Sequence, residues 1–508
     1  MSMGAITTLL HARRTIWSVG FVLVGGAIAS SVVADANRSL IGLGFLGLAL
    51  VSVAIGAVAN WRMGVILFLG WMLIEDLPRK YLGNNMIVFF GKDALLALTY
   101  VGYLLENHRV PIARWRPPFL AALVAFIALG AVQVFNPASP SVWYGLMGMK
   151  LYFFYVPLVF LGFALLRDER DFERFLVAFA AAAGVIAVLG IAQGIIGLNF
   201  LNPKVLAPEL EALGRELRRA PRSGVIFPRA TSVFVSEARY GSYMVLAYIV
   251  IVGATMYAMH QRLRSRWLLG PLAILTFTAV AMHGSRAGVL YLALSTMVLV
   301  PAMLFGAGPD ARRRLARGAS LGLVGVAALP VLLLVMFPAE VGARWALYSE
   351  TISPWSPESE LRYRLWDYPM LNLQGAFEAS YGVMGQGIGT ASIGAQYVSM
   401  IFNAPVPPPP VESGFGTLLL EFGYFGPILW VLWSGALLLG GWHVLRQLRG
   451  TPAHAVGVSI LWFAFLLLVP FTYGALNTYQ NYLYNVMFWL FVGILYRLPT
   501  LASRTVAT

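Results

Sequence analysis

The chain has 508 residues, of which 59% are hydrophobic and only 11% are charged, and its formal net charge is +14. Soluble domains carry roughly 25% charged residues, so this composition excludes an ordinary soluble globular protein. Excess arginine and lysine in a membrane protein usually marks its cytoplasmic loops, so the charge gives no reason to expect a nucleic-acid partner. Cysteine is absent, which excludes disulfides.

Apolar runs of about 20 residues recur along the chain and predict an all-α polytopic membrane protein, with 1–508 forming a single transmembrane domain. The first run lacks a cleavable signal pattern and is expected to be a retained helix. About 14 spans are predicted, at 15–34, 39–60, 63–77, 87–105, 117–136, 149–166, 172–197, 239–259, 267–283, 285–305, 318–337, 413–440, 455–475 and 479–497.

Arginine-rich connections alternate with arginine-poor ones when the N-terminus is placed inside the cell. The arginine-rich ones include RDERDFER (167–174), HQRLRSR (260–266) and ARRRLAR (311–317). The positive-inside rule predicts that these connections are cytoplasmic. The regular alternation favours an even number of spans with both termini in the cytoplasm.

The first long connection on the opposite side, the first outer loop, covers 198–238. Within it, 208–222 places Leu210, Leu213 and Leu217 at helical spacing. This pattern predicts a short amphipathic helix at the membrane interface.

The second outer loop covers 338–412 and is expected to form a large cap. One helix is predicted in its middle, with Leu361, Leu365 and Trp366 on one side. Glycine-rich and proline-rich stretches follow and predict an ordered loop. The tryptophans and tyrosines of this loop are candidates either for stacking on sugars or for packing within the cap.

Arg286 stands at the beginning of a predicted span, beside Gly284 and Ser285. A charge at this position needs a partner or water, and ionisable groups within membranes are functional candidates. The alternative is that Arg286 reaches the outer lipid headgroups. Arginine is suited to phosphate because its planar fork donates two parallel hydrogen bonds. Further arginines in the outer loops either join Arg286 at a lipid-linked pyrophosphate or pair with neighbouring glutamates and lipid phosphates.

A group transfer at this site also needs a base. His283 is the one histidine predicted on the outer side, and the nearby charge of Arg286 disfavours it as a proton acceptor. Glu412 directly precedes a predicted span and is the first choice for the base; the alternative is an acid favoured by the helix dipole. Glu421, deeper in the same span, is a second candidate whose alternative is packing. Glu237 is two residues before Arg239, a spacing that allows a local ion pair.

Four segments together resemble the O-antigen ligase and Wzy-type polymerase superfamily of bacterial membrane glycosyltransferases. They are PRATSVFVSEARYGSYM (228–244), HGSRAGVL (283–290), LRYRLWDYPMLNLQGAFEASYGVMGQGIGT (361–390) and ESGFGTLLLEFGYFGPILWVL (412–432). The resemblance implies a GT-C-like helical fold in the bacterial inner membrane. It also implies metal-independent transfer, without a cofactor, from an undecaprenyl-diphosphate-linked oligosaccharide at the periplasmic face.

By position, Arg229, Arg286 and Arg362 correspond to functional arginines of that superfamily. Its ligases usually place a histidine just before the late span, where this chain has Glu412. This departure favours a polymerase, or another transferase of the superfamily with a carboxylate base, over a ligase. The expected site therefore has Glu412 and Arg286 as catalytic residues. The expected substrate-binding residues are Arg229, Arg239, Tyr240, His283, Arg362 and Arg364.

The partners expected from this reading are the lipid-linked donor, a glycan acceptor and the lipid bilayer, with a chain-length regulator or a flippase as further protein partners. Two alternatives from other classes stay open. One is a lipid-linked oligosaccharide flippase, which would be expected to have two similar halves and short loops on both sides. The other is a non-enzymatic protein of an envelope-assembly complex.

Overall fold

The computed structural model describes residues 51–107, 115–215, 217–357, 359–380, 382–405 and 411–506. The first predicted span and most of the second, with the termini, lie outside these ranges. Contacts divide the chain into two compact units, 1–115 and 116–508.

The described part of the first unit is helical. Residues 51–59 are helical and are followed by α1 (Trp61–Ile74), α2 (Asp76–Tyr81) and α3 (Met86–Asn107). Asn60 caps α1 by accepting a hydrogen bond from the Met63 N–H at 3.4 Å. Lys92 forms a fully buried ion pair with Glu75 at 2.9 Å.

The second unit is also built from helices, apart from one short hairpin. Its first half has α4 (Leu120–Gln133), α5 (Val142–Phe153), α6 (Leu158–Leu165), α7 (Glu169–Ile196), α8 (Pro208–Gly214), β1 (Leu217–Arg219), β2 (Ile226–Pro228), α9 (Glu237–His260), α10 (Arg266–His283) and α11 (Arg286–Gly306). Its second half has α12 (Pro309–Met336), α13 (Pro338–Thr351), a π-helix (Tyr363–Asp367), α14 (Tyr368–Glu378), α15 (Ala395–Phe402), α16 (Gly414–Phe422), α17 (Phe425–Gln447), α18 (Ala453–Leu466), a second π-helix (Leu467–Phe471), α19 (Thr472–Gly474), α20 (Asn477–Gln480) and α21 (Tyr482–Val506).

Ten helical segments within the described ranges are long and apolar enough to cross a membrane. The predicted class, an all-α multi-pass membrane protein, is therefore confirmed. The described residues do not reproduce the predicted count of 14. At the predicted spans 63–77 and 117–136 the structure has α1 and α4, which have 14 residues each. Each is about 21 Å long, less than the hydrocarbon core of about 30 Å.

The centre of the second unit is α9. In its most apolar stretch 78% of the residues are buried, whereas none are buried in the corresponding stretch of α12. α9 packs against α7, α10, α11 and α18. Gly253 allows the close approach to α18, because a Cβ atom there would clash with the Ser459 hydroxyl.

One predicted span, 413–440, is interrupted. α16 ends at Phe422, Gly423 has a φ of +63°, and α17 begins at Phe425. A side chain at Gly423 would clash with the Val383 carbonyl, so glycine permits both the left-handed turn and the contact with the glycine-rich loop.

The predicted amphipathic helix over 208–222 is wrong beyond Gly214. Leu217 lies in β1, where it is exposed and pairs with Pro228 of β2 in an antiparallel register. Glycine is a poor helix former, and β2 supplies the backbone partners that a continuing helix would have provided internally. In the second outer loop, Leu365 and Trp366 are both exposed in a π-helix rather than on the buried face of an α-helix.

Candidate functional site

The junction between α10 and α11 places Arg286 at a helix end. Gly284 has a φ of +82°, and a Cβ atom there would clash with the Phe227 ring. Ser285 then caps α11 by accepting a hydrogen bond from the Gly288 N–H at 3.1 Å. Arg286 is consequently the first residue of α11, and we call this side of the molecule the Arg286 end.

A buried group of polar side chains lies at the same end and forms the inner cluster: Arg229, Glu237, Tyr240 and His283. Arg229 Nη1 lies 2.9 Å from Glu237 Oε1, and His283 Nε2 lies 3.8 Å from Glu237 Oε2. The Tyr240 ring packs edge-on against the His283 imidazole, with 5.4 Å between the ring centroids. Glu237 therefore joins two groups that the sequence predicted to bind substrate.

Gln193 on α7 positions the segment that carries Arg229. Its side-chain oxygen accepts hydrogen bonds from the backbone N–H groups of Thr231 and Ser232, each at 2.7 Å. Its side-chain nitrogen donates to the Phe200 carbonyl at 2.7 Å. The sequence pattern did not single out Gln193; the signal it offers is a glutamine within the long apolar run of 172–197.

Arg344 on α13 is one of the outer-loop arginines that the sequence predicted either to join Arg286 at a pyrophosphate or to pair with glutamates and lipid phosphates. It is almost fully buried, and its guanidinium donates hydrogen bonds to four backbone carbonyls. The acceptors are Met282, Glu340 (2.5 Å), Gly194 (3.2 Å) and Pro228 (3.2 Å). Burial lowers the pKa of Arg344, although a guanidinium still keeps its charge at neutral pH. Arg344 thus fastens α13 to α7, β2 and α10.

Arg286 contacts the second outer loop in what we call the rim cluster, which consists of Arg286, Glu360 and Arg364. Arg286 Nη1 lies 2.8 Å from Glu360 Oε1, and Arg364 Nε lies 3.3 Å from Glu360 Oε2. Partial desolvation raises the pKa of Glu360, but hydrogen bonds and charge from the two arginines outweigh it and keep the pKa below its usual value. The three side chains are between about a quarter and a half exposed.

Two other predicted binding arginines have contacts outside the two named clusters. Arg362 is 89% exposed, and its Nε atom lies 3.8 Å from Asp367 Oδ2. Arg239 is partly buried, with its guanidinium 4.9 Å from the centroid of the Tyr482 ring. Neither contact by itself indicates substrate binding.

Glu412 is exposed, and its backbone N–H donates to Asn372 Oδ1 at 3.0 Å. No salt bridge joins its carboxylate to a cation in the described ranges. Glu421, by contrast, is fully buried. Its carboxylate accepts hydrogen bonds from the Tyr152 hydroxyl (2.7 Å), the Ser392 hydroxyl (2.7 Å) and the Ala391 N–H (2.9 Å). These bonds tie the glycine-rich loop to α5 and α16, which is a structural role.

Several aromatic side chains of the second outer loop present open faces. Trp345, Trp355 and Trp366 are 71%, 90% and 62% exposed. Within the described part of the chain, no group of three or more His, Asp or Glu side chains is arranged to hold a metal ion. The second outer loop thus presents guanidinium groups, exposed carboxylates and open aromatic faces.

No model of a known protein family matches the chain, and no curated protein matches it either.

Proposed function

We propose that the chain is a membrane glycosyltransferase of the polysaccharide polymerase type. It transfers a glycan from an undecaprenyl-diphosphate-linked repeat unit to the end of another glycan, at the periplasmic face of the bacterial inner membrane. The observation that supports this best is the rim cluster, where Arg286 and Arg364 converge on the two oxygens of one carboxylate. Two guanidinium groups that share one anion can also share a phosphate, which has more acceptor oxygens.

In the proposed reaction, the donor diphosphate displaces Glu360 and lies between Arg286 and Arg364. An acceptor hydroxyl attacks the anomeric carbon, and the bond from that carbon to the diphosphate oxygen breaks. The bonding electrons leave with undecaprenyl diphosphate, and the configuration at the anomeric carbon inverts. The arginines stabilise the negative charge that develops on the leaving group, which is often the largest contribution to catalysis.

Glu412 is the proposed base that takes the proton from the acceptor hydroxyl. Its exposure supports this role, because an acceptor glycan has to reach the carboxylate from solvent. Glu237 is less suitable, because it is 9% exposed and already engaged with Arg229. We propose that the inner cluster supports the donor site from within the protein. Its members Arg229, Tyr240 and His283 would form the buried side of that site. Arg239 and Arg362 would guide the charged donor, and the exposed tryptophans would stack on its sugars.

The ligase alternative uses the same donor and the same arginines, and differs in its acceptor, which would be lipid A-core or a protein. A flippase would move the donor without forming a glycosidic bond. A chain-length regulator or a separate flippase is a candidate protein partner in either enzymatic case. If the chain is instead a non-enzymatic assembly protein, we expect no turnover.

The deciding experiment supplies the purified protein in liposomes with lipid-linked repeat units and follows chain length on a gel. A polymerase gives a ladder of products, and Glu412→Gln removes that ladder, because a general base contributes roughly 10²–10⁴-fold. Glu378→Gln, at another exposed acid of the same outer loop, is the matched control. A normal ladder from Glu412→Gln would remove the base assignment, and the absence of any ladder from the wild-type protein would contradict the polymerase.

Deleting the gene separates the enzymatic alternatives: single repeat units are retained without a polymerase, whereas free polymer accumulates on the lipid carrier without a ligase.

A further inference from the structure

A cavity of about 440 Å³ opens between α11, α17 and α18, at the end of α11 that is opposite to Arg286. This volume falls within the range of roughly 300–1,000 Å³ that is usual for small-molecule sites. The positive-inside rule predicts that this end faces the cytoplasm. One wall is apolar and includes Val298, Ala302, Leu438, Leu461 and Phe465.

The mouth of the cavity has a different chemistry. Arg446 and Arg449 line it, and both are exposed. The lining includes no aspartate or glutamate, and no described acid forms a salt bridge with either arginine. Two cations thus stand at the opening of an apolar cleft between helices that are long and apolar enough to cross a membrane. Basic pockets between transmembrane helices on the cytoplasmic side are typical binding sites for anionic lipid headgroups.

The cavity walls are held by specific contacts. The Trp462 indole N–H donates to the Ser295 hydroxyl at 2.9 Å, which joins α18 to α11. The Gly450 N–H donates to the Gly306 carbonyl at 2.8 Å, which fixes the connection after α17 to the end of α11. A side chain at Gly306 would clash with the His454 ring, so glycine permits this arrangement. These contacts make the cleft a formed site rather than a gap between loosely packed helices.

We propose that this cavity binds one anionic phospholipid of the cytoplasmic leaflet. The phosphate lies between Arg446 and Arg449, whose forked donors match its oxygens, and an acyl chain lies along the apolar wall. Trp442, which is 52% exposed, sits beside the mouth, as tryptophan commonly does at the membrane interface. The site is independent of the proposed transferase reaction, because it involves the opposite end of α11.

The test uses the full-length purified protein, freed of lipid in detergent and titrated with defined lipids under native mass spectrometry. We expect phosphatidylglycerol to bind and phosphatidylethanolamine to bind more weakly, because the second headgroup carries no net charge. Glycerol 3-phosphate, which has the phosphate without the chains, should bind far more weakly than either lipid. The double variant Arg446→Gln/Arg449→Gln should lower the affinity for phosphatidylglycerol roughly thirtyfold, since each arginine near a lipid surface contributes about 1 kcal/mol.

The matched control is Arg313→Gln/Arg317→Gln. It removes two exposed arginines from α12, outside the cavity lining, and should leave the affinity within about twofold of the wild type. Ala302→Trp, which fills the apolar wall, should weaken binding of the lipid without removing a charge. Equal losses in the two arginine double variants would overturn the proposal, since they would indicate general surface charge. Equal binding of the two lipids, or of glycerol 3-phosphate and phosphatidylglycerol, would overturn it as well.

Discussion

Arg286 and Arg344 are both arginines near the end of α10, yet their surroundings differ in kind. Arg344 is buried and directs its donors to four backbone carbonyls from separate segments. Arg286 is partly exposed and shares one carboxylate with a second arginine. A guanidinium committed to backbone carbonyls holds the fold, whereas one that shares a partly exposed carboxylate can exchange it for a ligand. Sequence position alone does not separate these two roles.

The largest effect is expected from Arg344→Ala. The substitution leaves the carbonyls of Met282, Gly194 and Pro228 without their donor, and each unsatisfied buried acceptor costs roughly 1–3 kcal/mol. We expect loss of monodisperse protein in size-exclusion chromatography. Arg344→Lys should recover it only in part, because an ammonium group lacks the planar fork. Normal purification of Arg344→Ala would contradict the conclusion that Arg344 holds the fold.

Arg286→Ala is expected to give the opposite result. The yield and the melting temperature should stay close to the wild type, because a partly exposed ion pair contributes little to stability. Glycan elongation should fall by about 10²–10³-fold if Arg286 stabilises the leaving diphosphate. Arg286→Lys should restore little activity, and Arg313→Ala on α12 serves as a charge-matched control. Loss of folded protein would place Arg286 in the same group as Arg344, whereas unchanged elongation would contradict its proposed role at the diphosphate.

Glu360→Gln sharpens the comparison by removing the anion that the two rim arginines share. If Glu360 occupies the place of a phosphate, its neutral replacement should increase the affinity for undecaprenyl diphosphate by a few-fold, since one competitor is lost. The affinity can be measured by displacement of a fluorescent analogue, with Glu378→Gln as a control at another exposed acid of the same loop. Weaker binding in Glu360→Gln would show instead that the acid organises Arg286 and Arg364 for the ligand.

The hydrophobic pattern predicted many of the helices well, because a span has to be long and apolar whatever its neighbours are. The prediction 172–197 corresponds to Glu169–Ile196, and 285–305 corresponds to Arg286–Gly306. The interruption at Gly423 was missed, because it depends on a contact with Val383, 40 residues earlier in the chain. Tertiary contacts of that kind leave no periodic signal in the sequence.

The candidate site also combines residues that the sequence singles out with residues that only tertiary contacts identify. Arg286 could be singled out, because a charge at the start of an apolar run is unusual whatever the fold. Its partner Glu360 could not, because an acid in a polar loop is ordinary until the fold places it 2.8 Å from that arginine. Arg344 was grouped with the other loop arginines, because its acceptors are backbone carbonyls, which every residue has.

The smallest effect concerns a buried cation of another type, Lys80 in the first unit. Burial lowers its pKa to about 7, although the charge of Asp76 acts in the opposite direction. Because an unfolded lysine binds its proton up to about pH 10.5, the unfolded state holds more protons between these two pKa values. Stability should therefore rise with pH above about 7, and the melting temperature should rise by a few degrees between pH 6 and pH 9.

Lys80→Met should flatten this dependence, whereas Lys204→Met, at an exposed lysine, should leave it unchanged. A buried arginine cannot respond in this way, because it keeps its proton throughout that range. The same slope in Lys80→Met would assign the pH dependence to other groups.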